Sequence, residues 1–184
     1  MVAVTSLLDV DHTLLVNDLI YELEREFNLS AVQTTPYPHL TYLTTNVEKF
    51  SDLKDYLDDL SAKTTPFSVR TTGLGIFTGD NPIIYIPILR SPVLNQFHAK
   101  LYKEISAFSN EMGFYYNPDL WMPHITLALG DTNPLIMGSV LNYLNQYKFD
   151  WKITFDNLAI LKKSGDKFLK EDVYTFSKSV VKTS

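Results

Sequence analysis

The stretch Pro38-His39-Leu40-Thr41 returns later in the chain as Pro123-His124-Ile125-Thr126, and each copy opens an apolar run. On a β-strand, successive side chains point to opposite faces. Each copy therefore presents a histidine and a threonine on one face and sends its apolar residues to the other. If the two strands face each other, two imidazoles and two hydroxyls meet in one site. Such a site is equipped to move protons at a phosphate group.

The composition indicates a folded protein with a modest acidic charge. The chain has 184 residues, of which 45% are hydrophobic and 13% aromatic, enough to build a buried core. The formal net charge of −5 argues against a broad surface that follows the phosphates of long nucleic acid. It leaves room for a nucleotide or an RNA end in one local pocket. The chain has no cysteine, so disulfides, thiolate nucleophiles and cysteine metal sites are excluded.

The start of the chain indicates no targeting segment. The segment Met1–Ser6 lacks the basic region and long apolar core of a signal peptide, and no apolar run has the length of a transmembrane helix. We therefore expect a cytoplasmic protein without membrane contact. We also expect a monomer that needs no cofactor and no metal.

The two motifs lie inside a longer repeat of strand, helix, strand, helix and strand. The first half predicts a strand over 4–9, a helix over about 13–27, the His39 strand, a helix over about 47–60 and a strand over 67–77. The second half predicts a strand over 83–89, a helix over about 93–112, the His124 strand, a helix over about 135–147 and a strand over 151–161. We therefore expect one domain over 1–184 with pseudo-repeats at about 4–78 and 83–161. A last strand over about 172–177 is expected to join the second set.

The helix starts also correspond between the two halves. Asp11 is the expected N-cap of the first helix, and Ser91 followed by Pro92 supplies the N-cap and first position in the second half. Two similar units around a pseudo-twofold axis would bring equivalent strands together at the centre, where the two histidines need to be.

With two His-x-Thr motifs 85 residues apart in a duplicated α+β chain, the sequence resembles the 2H phosphoesterase superfamily. The closest likeness is to its 2′-5′ RNA ligase-like branch, over roughly residues 4–175. The resemblance implies an α+β fold of two lobes, with two antiparallel sheets flanking a central cleft and helices on the outside. It also implies metal-independent chemistry on phosphodiesters. The expected partners are nucleotides or RNA ends that carry a 2′,3′-cyclic phosphate, cyclic phosphates of ADP-ribose, or 2′-5′ linkages.

The resemblance assigns a role to each motif residue. His39 and His124 would be catalytic, and Thr41 and Thr126 would bind the phosphate. Histidine titrates near pH 6.5, so a neutral imidazole can take a proton from water while a charged one protonates the departing ribose oxygen. The hydroxyls would donate hydrogen bonds to the non-bridging phosphate oxygens. With a ribose hydroxyl in place of water, the same geometry would form a 2′-5′ bond. Which histidine is the acid stays open.

One position departs from the family pattern. Relatives that act on RNA ends often carry an arginine three residues after the second motif threonine, where this chain has Leu129. Arg70 and Arg90 are the basic residues considered as replacements, and the sequence does not place them. The departure weakens the case for an RNA ligase-like substrate more than the case for phosphodiester chemistry.

Aromatic residues are dense just before both motifs. Tyr37, Tyr115 and Trp121 are candidates for stacking on a nucleobase, and each can equally line the core. The remaining histidines, His12 and His98, are expected on the surface of helices. A metal site built from His39 and His124 would need further ligands, and the sequence offers no obvious set.

Two other functions remain open. Asp9-Val10-Asp11-His12-Thr13 resembles the first motif of haloacid dehalogenase-type phosphatases, in which two aspartates work with Mg²⁺, although the usual glycine is His12 here. No convincing later lysine and acidic pair accompanies it. The other alternative is a non-catalytic domain that binds nucleotides or a partner protein through the same cleft. Strict Mg²⁺ dependence separates the phosphatase from the two-histidine mechanism.

Overall fold

The computed structural model describes residues 1–177, which contain ten strands and four α-helices. The strands are β1 (Val2–Leu7), β2 (His39–Val47), β3 (Phe67–Arg70), β4 (Gly75–Phe77), β5 (Ile83–Pro87), β6 (Ser109–Met112), β7 (His124–Ala128), β8 (Lys152–Phe155), β9 (Asn157–Ser164) and β10 (Lys167–Thr175). The helices are α1 (Val10–Phe27), α2 (Phe50–Ala62), α3 (Pro92–Ser106) and α4 (Met137–Leu144), with short 3₁₀ helices at Ala31–Thr34 and Phe114–Tyr116. None of the helices in this range is long and apolar enough to cross a membrane.

The strands form a five-stranded and a three-stranded antiparallel sheet and a separate two-stranded antiparallel ladder. The first sheet has the order β10-β9-β1-β2-β6. In the second, β5 lies between β4 and β7, and an isolated bridge between Thr71 and Ile88 links it to the β3–β8 ladder. The Leu89 N–H also donates to the Arg70 carbonyl at 2.8 Å. The predicted α+β fold with antiparallel sheets is confirmed.

The helices cover one face of each sheet with apolar stripes at helical spacing. Helix α2 contacts β9 and β10, α3 contacts β2 and β6, and α1 contacts β7. Their buried residues recur every three or four positions, as in Val16, Leu19 and Leu23 of α1 and Leu94, Leu101 and Ile105 of α3. The other face of each sheet is left for the motif side chains.

Two helix starts test the expected caps. Ser91 caps α3, accepting the Leu94 N–H at 3.2 Å, and Pro92 is its first residue, as predicted. The expected cap of α1 is wrong: Asp9 accepts the His12 N–H at 3.0 Å, and the helix begins at Val10. Asp11 lies exposed in the first turn, where a negative charge is favoured by the helix dipole.

Two other expectations about element boundaries are wrong. The helix expected over 93–112 ends at Ser106, and Ser109–Met112 forms β6 at the edge of the first sheet. The last strand, expected over about 172–177, begins at Lys167, and it pairs with β9, which comes from the second half of the chain. The reason is the two-residue turn after Ser164, where Gly165 adopts φ 61° and returns the chain beside β9.

The pairing of β3 with β8 relates the two halves of the chain. Phe67 pairs with Phe155, and Arg70 pairs with Lys152. The motifs are 85 residues apart. The residue 85 positions after Phe67 is Lys152, the partner of Arg70, and the residue 85 positions after Arg70 is Phe155, the partner of Phe67. The ladder therefore maps onto itself, as it does around a twofold axis. We infer the internal duplication from this symmetry together with the repeated motif.

Each half also contributes a strand to the other half's sheet. The segments expected as single strands over 67–77 and 151–161 are divided into β3 with β4 and β8 with β9. Strand β4 pairs with β5 in the sheet of the second motif, and β9 pairs with β1 in the sheet of the first. This exchange ties the two lobes together around the motif strands.

Candidate active site

Both motif strands begin at their histidine. His39 is the first residue of β2, opposite Leu7, and His124 is the first of β7, opposite Pro87. The burial pattern is the same in both strands, with histidine and threonine half-buried and the apolar residue between them fully buried. The alternation predicted from the sequence therefore places the four motif side chains on the face opposite the core.

A β-bulge follows each motif at the same position. Tyr42 is the extra residue in the β1–β2 ladder, and Leu127 is the extra residue in the β5–β7 ladder. Two successive residues after each threonine are consequently buried. The bulge turns the third residue after each threonine, Thr44 or Leu129, back towards the motif face. A strand without the bulge would send that residue to the core.

The two imidazoles are held in the same way by the backbone. His39 Nδ1 donates to the Tyr37 carbonyl at 2.5 Å, and His124 Nδ1 donates to the Met122 carbonyl at 2.6 Å. Since a carbonyl oxygen only accepts, Nδ1 carries the proton in each neutral ring. The Nε2 atom is then the acceptor that each ring presents for chemistry.

The two motif strands lie next to each other, as the sequence reasoning required. Strand β2 contacts β7. Burial lowers the pKa of His39, the bond to the Tyr37 carbonyl opposes this, and the charge of His124 lowers the pKa further. Burial also lowers the pKa of His124, against the effect of the Met122 carbonyl. The two histidines are thus close enough for the charge of His124 to affect the pKa of His39.

An aromatic pair flanks His124 on the second lobe. Its ring centroid lies 5.2 Å from that of Phe77 and 5.1 Å from that of Tyr85, and these two rings stack at 4.2 Å. Tyr85 pairs with Thr126 in the ladder, which puts both on the motif face. Sequence reasoning missed both aromatics. Tyr85 is only 5% exposed, and its position between Ile84 and Ile86 on a strand was the sequence signal that could have found it.

Trp121 supports the first motif from the protein side. It is 2% exposed, and its Nε1–H donates to the Thr41 carbonyl at 3.0 Å. The expectation that it stacks on a nucleobase is therefore wrong, because its ring stacks on His98 with centroids 3.7 Å apart. His98 is fully buried, not on the surface as expected, and its Nε2 donates to the Tyr42 carbonyl at 3.0 Å.

The other two stacking candidates have accessible surface. Tyr37 is half-buried just before β2, and the Lys170 ammonium lies 5.2 Å from its ring centroid. Tyr115 is 76% exposed in the 3₁₀ helix Phe114–Tyr116, which contacts β2. Tyr37 thus lies directly beside the first motif. Tyr115 packs edge-on against Phe114 at 5.3 Å.

Neither arginine replaces the missing cation at Leu129. Arg70 pairs with Asp150 at 2.9 Å. Arg90 donates to the Pro118 carbonyl at 2.9 Å and the Trp121 carbonyl at 3.3 Å, which holds the loop before the second motif. Both guanidinium groups are thus engaged in structural contacts.

The aspartates of the alternative phosphatase motif have structural roles. The Asp9 carboxylate binds both the backbone N–H and the Nδ1 of His12, the latter at 2.6 Å. Burial acts to raise the Asp9 pKa, but the contacts with His12 together outweigh it and lower that pKa. Across residues 1–177, no group of three or more histidine, aspartate or glutamate side chains is placed to hold a metal ion. Asp9 is therefore explained as a helix cap.

Two sheets that each present a half-buried histidine and threonine on adjacent strands define a protein of the 2H phosphoesterase class. The family model of the 2′-5′ RNA ligase superfamily matches residues 14–167, which include both motifs. The chain belongs to this superfamily, as the sequence resemblance implied.

The comparison of structures agrees on the fold. A crystal structure of TT0787 from Thermus thermophilus matches with a TM-score of 0.63 at 14% sequence identity. The match covers 97% of this chain and 98% of that one. At this identity the likeness concerns the fold alone. No curated protein sequence matches the chain.

Proposed function

We propose that the protein is a metal-independent phosphodiesterase that hydrolyses a 2′,3′-cyclic phosphate or a related phosphodiester of a nucleotide or RNA end. The observation that carries the proposal is the matched pair of Nδ1–carbonyl bonds. They orient both imidazoles alike and leave both Nε2 atoms for proton transfer. Membership in the 2′-5′ RNA ligase superfamily supports the same class of chemistry.

In the proposed reaction the two histidines act on opposite sides of phosphorus. The neutral imidazole accepts a proton from the attacking water as its oxygen bonds to phosphorus. The bond from phosphorus to one ribose oxygen breaks, and the charged imidazole protonates that oxygen. The product is a ribose phosphomonoester. Thr41 and Thr126 donate to the non-bridging oxygens, where negative charge develops.

A second activity follows from the same geometry. A ribose hydroxyl in place of water would attack the cyclic phosphate and form a 2′-5′ bond. The superfamily match favours this reaction as a candidate. Water is far more abundant than any RNA hydroxyl, so we expect hydrolysis to dominate in dilute solution.

The test is turnover of the four nucleoside 2′,3′-cyclic monophosphates in EDTA. His39→Ala and His124→Ala should each lower kcat by about 10²–10⁴-fold, because each removes one proton transfer. His12→Gln is the matched control, since it changes a histidine that contacts Asp9 and not the motif strands.

Two results would count against this function. Turnover that needs Mg²⁺ and ignores both histidine substitutions would favour Asp9 and Asp11 as the catalytic groups. Binding of the nucleotides without turnover in any condition would favour a non-catalytic nucleotide-binding domain.

A further inference from the structure

Lys170 lies on the same face of the first sheet as the motif side chains. In the ladders, Lys170 pairs with Leu161, Leu161 with Ala3, and Ala3 with Thr44. Paired residues in adjacent strands point to the same side of a sheet. Thr44 is on the motif face, so Lys170 is too. The neighbouring row of paired residues on this face includes Thr41 of the first motif.

The Lys170 ammonium group lies close to Tyr37, two residues before the first motif histidine. Its Nζ lies 5.2 Å from the ring centroid of Tyr37, whose own carbonyl holds His39. Between these two residues the sheet face carries Leu161, Ala3, Thr5 and Ala159, each no more than 5% exposed, so this part of the face is covered by other side chains. Lys170 itself is exposed and Tyr37 is half-buried, so both side chains have accessible surface at the edge of this covered region.

The ammonium group of Lys170 is available for an anion. Within residues 1–177, no carboxylate forms an ion pair with it, whereas Asp172 on the opposite face of β10 pairs with Lys54 at 2.7 Å. Lys163 pairs with Phe168 and shares the face of Lys170, which adds a second positive charge nearby. The chain has a net charge of −5, so its composition does not indicate this local positive charge at the edge of the first sheet.

We propose that Lys170 and Tyr37 form a subsite for a second phosphate of the substrate, next to the phosphodiester that reacts. The inference rests on the proposed function. The Lys170 ammonium group lies beside Tyr37, two residues before His39, so it would bind a phosphate of the substrate other than the one that reacts. The subsite supplies a positive charge for phosphate binding, which Leu129 does not provide. The preferred substrates are then nucleotides or RNA ends with a further phosphate, over cyclic mononucleotides.

Binding of two non-reactive probes tests the subsite directly. Adenosine 2′,5′-bisphosphate and adenosine 2′-monophosphate differ only in the 5′-phosphate, and neither contains a cyclic phosphodiester. By calorimetric titration at low salt, we expect the bisphosphate to bind about tenfold more tightly or better, as for a hydrogen bond to a charged group. Lys170→Ala should abolish this preference, and Lys170→Arg should retain it.

Lys162→Ala is the matched control. It removes a lysine from the same hairpin, on the opposite face, where its Nζ lies 4.8 Å from the Phe50 ring. This variant should keep the preference for the bisphosphate. Equal binding of both probes by the unmodified protein, a preference that survives Lys170→Ala, or no binding of either probe at millimolar concentration would each overturn the subsite.

Turnover separates this inference from the function on which it rests. Adenosine 2′,3′-cyclic phosphate with and without a 5′-phosphate is the substrate pair. Lys170→Ala should raise KM only for the 5′-phosphorylated substrate. If both substrates are hydrolysed and Lys170→Ala affects them equally, the phosphodiesterase stands and the subsite falls. If neither is hydrolysed but the probes behave as expected, the subsite stands and the proposed activity falls.

Discussion

The two lobes share a backbone and differ in what surrounds it. Each motif strand begins at a histidine, bonds that histidine to the carbonyl two residues earlier and bulges one residue after the threonine. Around this common frame, the first motif rests on Trp121 and His98, whereas the second faces Phe77 and Tyr85. The shared backbone fixes how the imidazoles act. The different side chains give the site two unlike ends, which a substrate can use to bind in one direction.

Replacing the two threonines tests the symmetric part of this comparison. Thr41→Val and Thr126→Val keep the shape of the side chain and remove the hydroxyl donor. We expect each to lower kcat by about 10²–10³-fold, the usual effect of losing one donor to a developing phosphate charge. Turnover of a nucleoside 2′,3′-cyclic monophosphate measures the effect.

The exposed Thr154 on β8 provides the control for these variants. Thr154→Val should leave kcat unchanged. If only one motif threonine proves necessary, the two lobes do not share the phosphate equally, and the symmetric mechanism would need revision.

The buried His98 gives the first lobe a pH sensitivity of its own. Burial lowers the pKa of His98 to about 4, against the opposing bond to the Tyr42 carbonyl. Because the unfolded chain binds this proton from about pH 6.5 downward and the folded chain resists it, the free energy of unfolding falls as the pH drops. The expected loss between pH 6.5 and 4 is up to about 3 kcal/mol.

Urea unfolding of the unmodified protein and His98→Gln over this range measures that loss. The glutamine can still donate to the Tyr42 carbonyl but does not titrate, so the variant should lose less stability on acidification. Parallel pH dependences for the two proteins would show that His98 is not the responsible group.

Two glycines, one beside each motif, permit the different packing of the lobes. A Cβ on Gly75 would lie 2.3 Å from the Tyr85 ring, and one on Gly113 would lie 2.3 Å from the Thr44 hydroxyl. Overpacking of this kind costs about 1–3 kcal/mol. We expect Gly75→Ala to be the more destabilising, because all its close contacts are with the Tyr85 side chain, whose ring stacks on Phe77. The Cβ of Gly113→Ala would meet the Thr44 hydroxyl and, at 2.7 Å, the edge of the Tyr116 ring. Thermal unfolding gives the comparison.

Gly138 in α4 is the control for both glycines, because a Cβ there meets nothing within 4 Å. Gly138→Ala should stabilise the protein, by about 0.5–1 kcal/mol, as alanine does within a helix. A larger loss at Gly113 than at Gly75 would mean that the second lobe is the more adaptable one.

Local sequence patterns made the facing of the motif strands and the start of α3 predictable. The period of two in each motif strand placed His39 and Thr41 on one face, and the Ser91-Pro92 pair marked the start of α3. Both signals lie within a few neighbouring residues. The edge strand β6 was missed because Ser109–Met112 has no apolar alternation and is held by pairing to β2.

What the sequence did not reveal depends on partners distant in the chain. The bulges at Tyr42 and Leu127 exist only in relation to the opposite strand. Trp121 before a motif has the same sequence signature whether its ring meets a base or His98. The approach of Lys170 to Tyr37 requires the β9–β10 hairpin to fold back onto the first sheet.

The pH dependence of catalysis compares the pKa values of the two motif histidines. The mechanism needs one neutral and one charged imidazole, so kcat/KM should follow a bell-shaped curve governed by the two pKa values of the free enzyme. Burial lowers both pKa values, and the charge of His124 further lowers that of His39. The maximum should therefore lie below pH 6.5, with kcat/KM falling about tenfold per pH unit on the alkaline side. Tyr85→Leu removes an aromatic neighbour of His124 and none of His39, so a shift in only one limb would assign that limb to His124. A maximum above pH 7.5 would contradict two half-buried histidines acting as a pair.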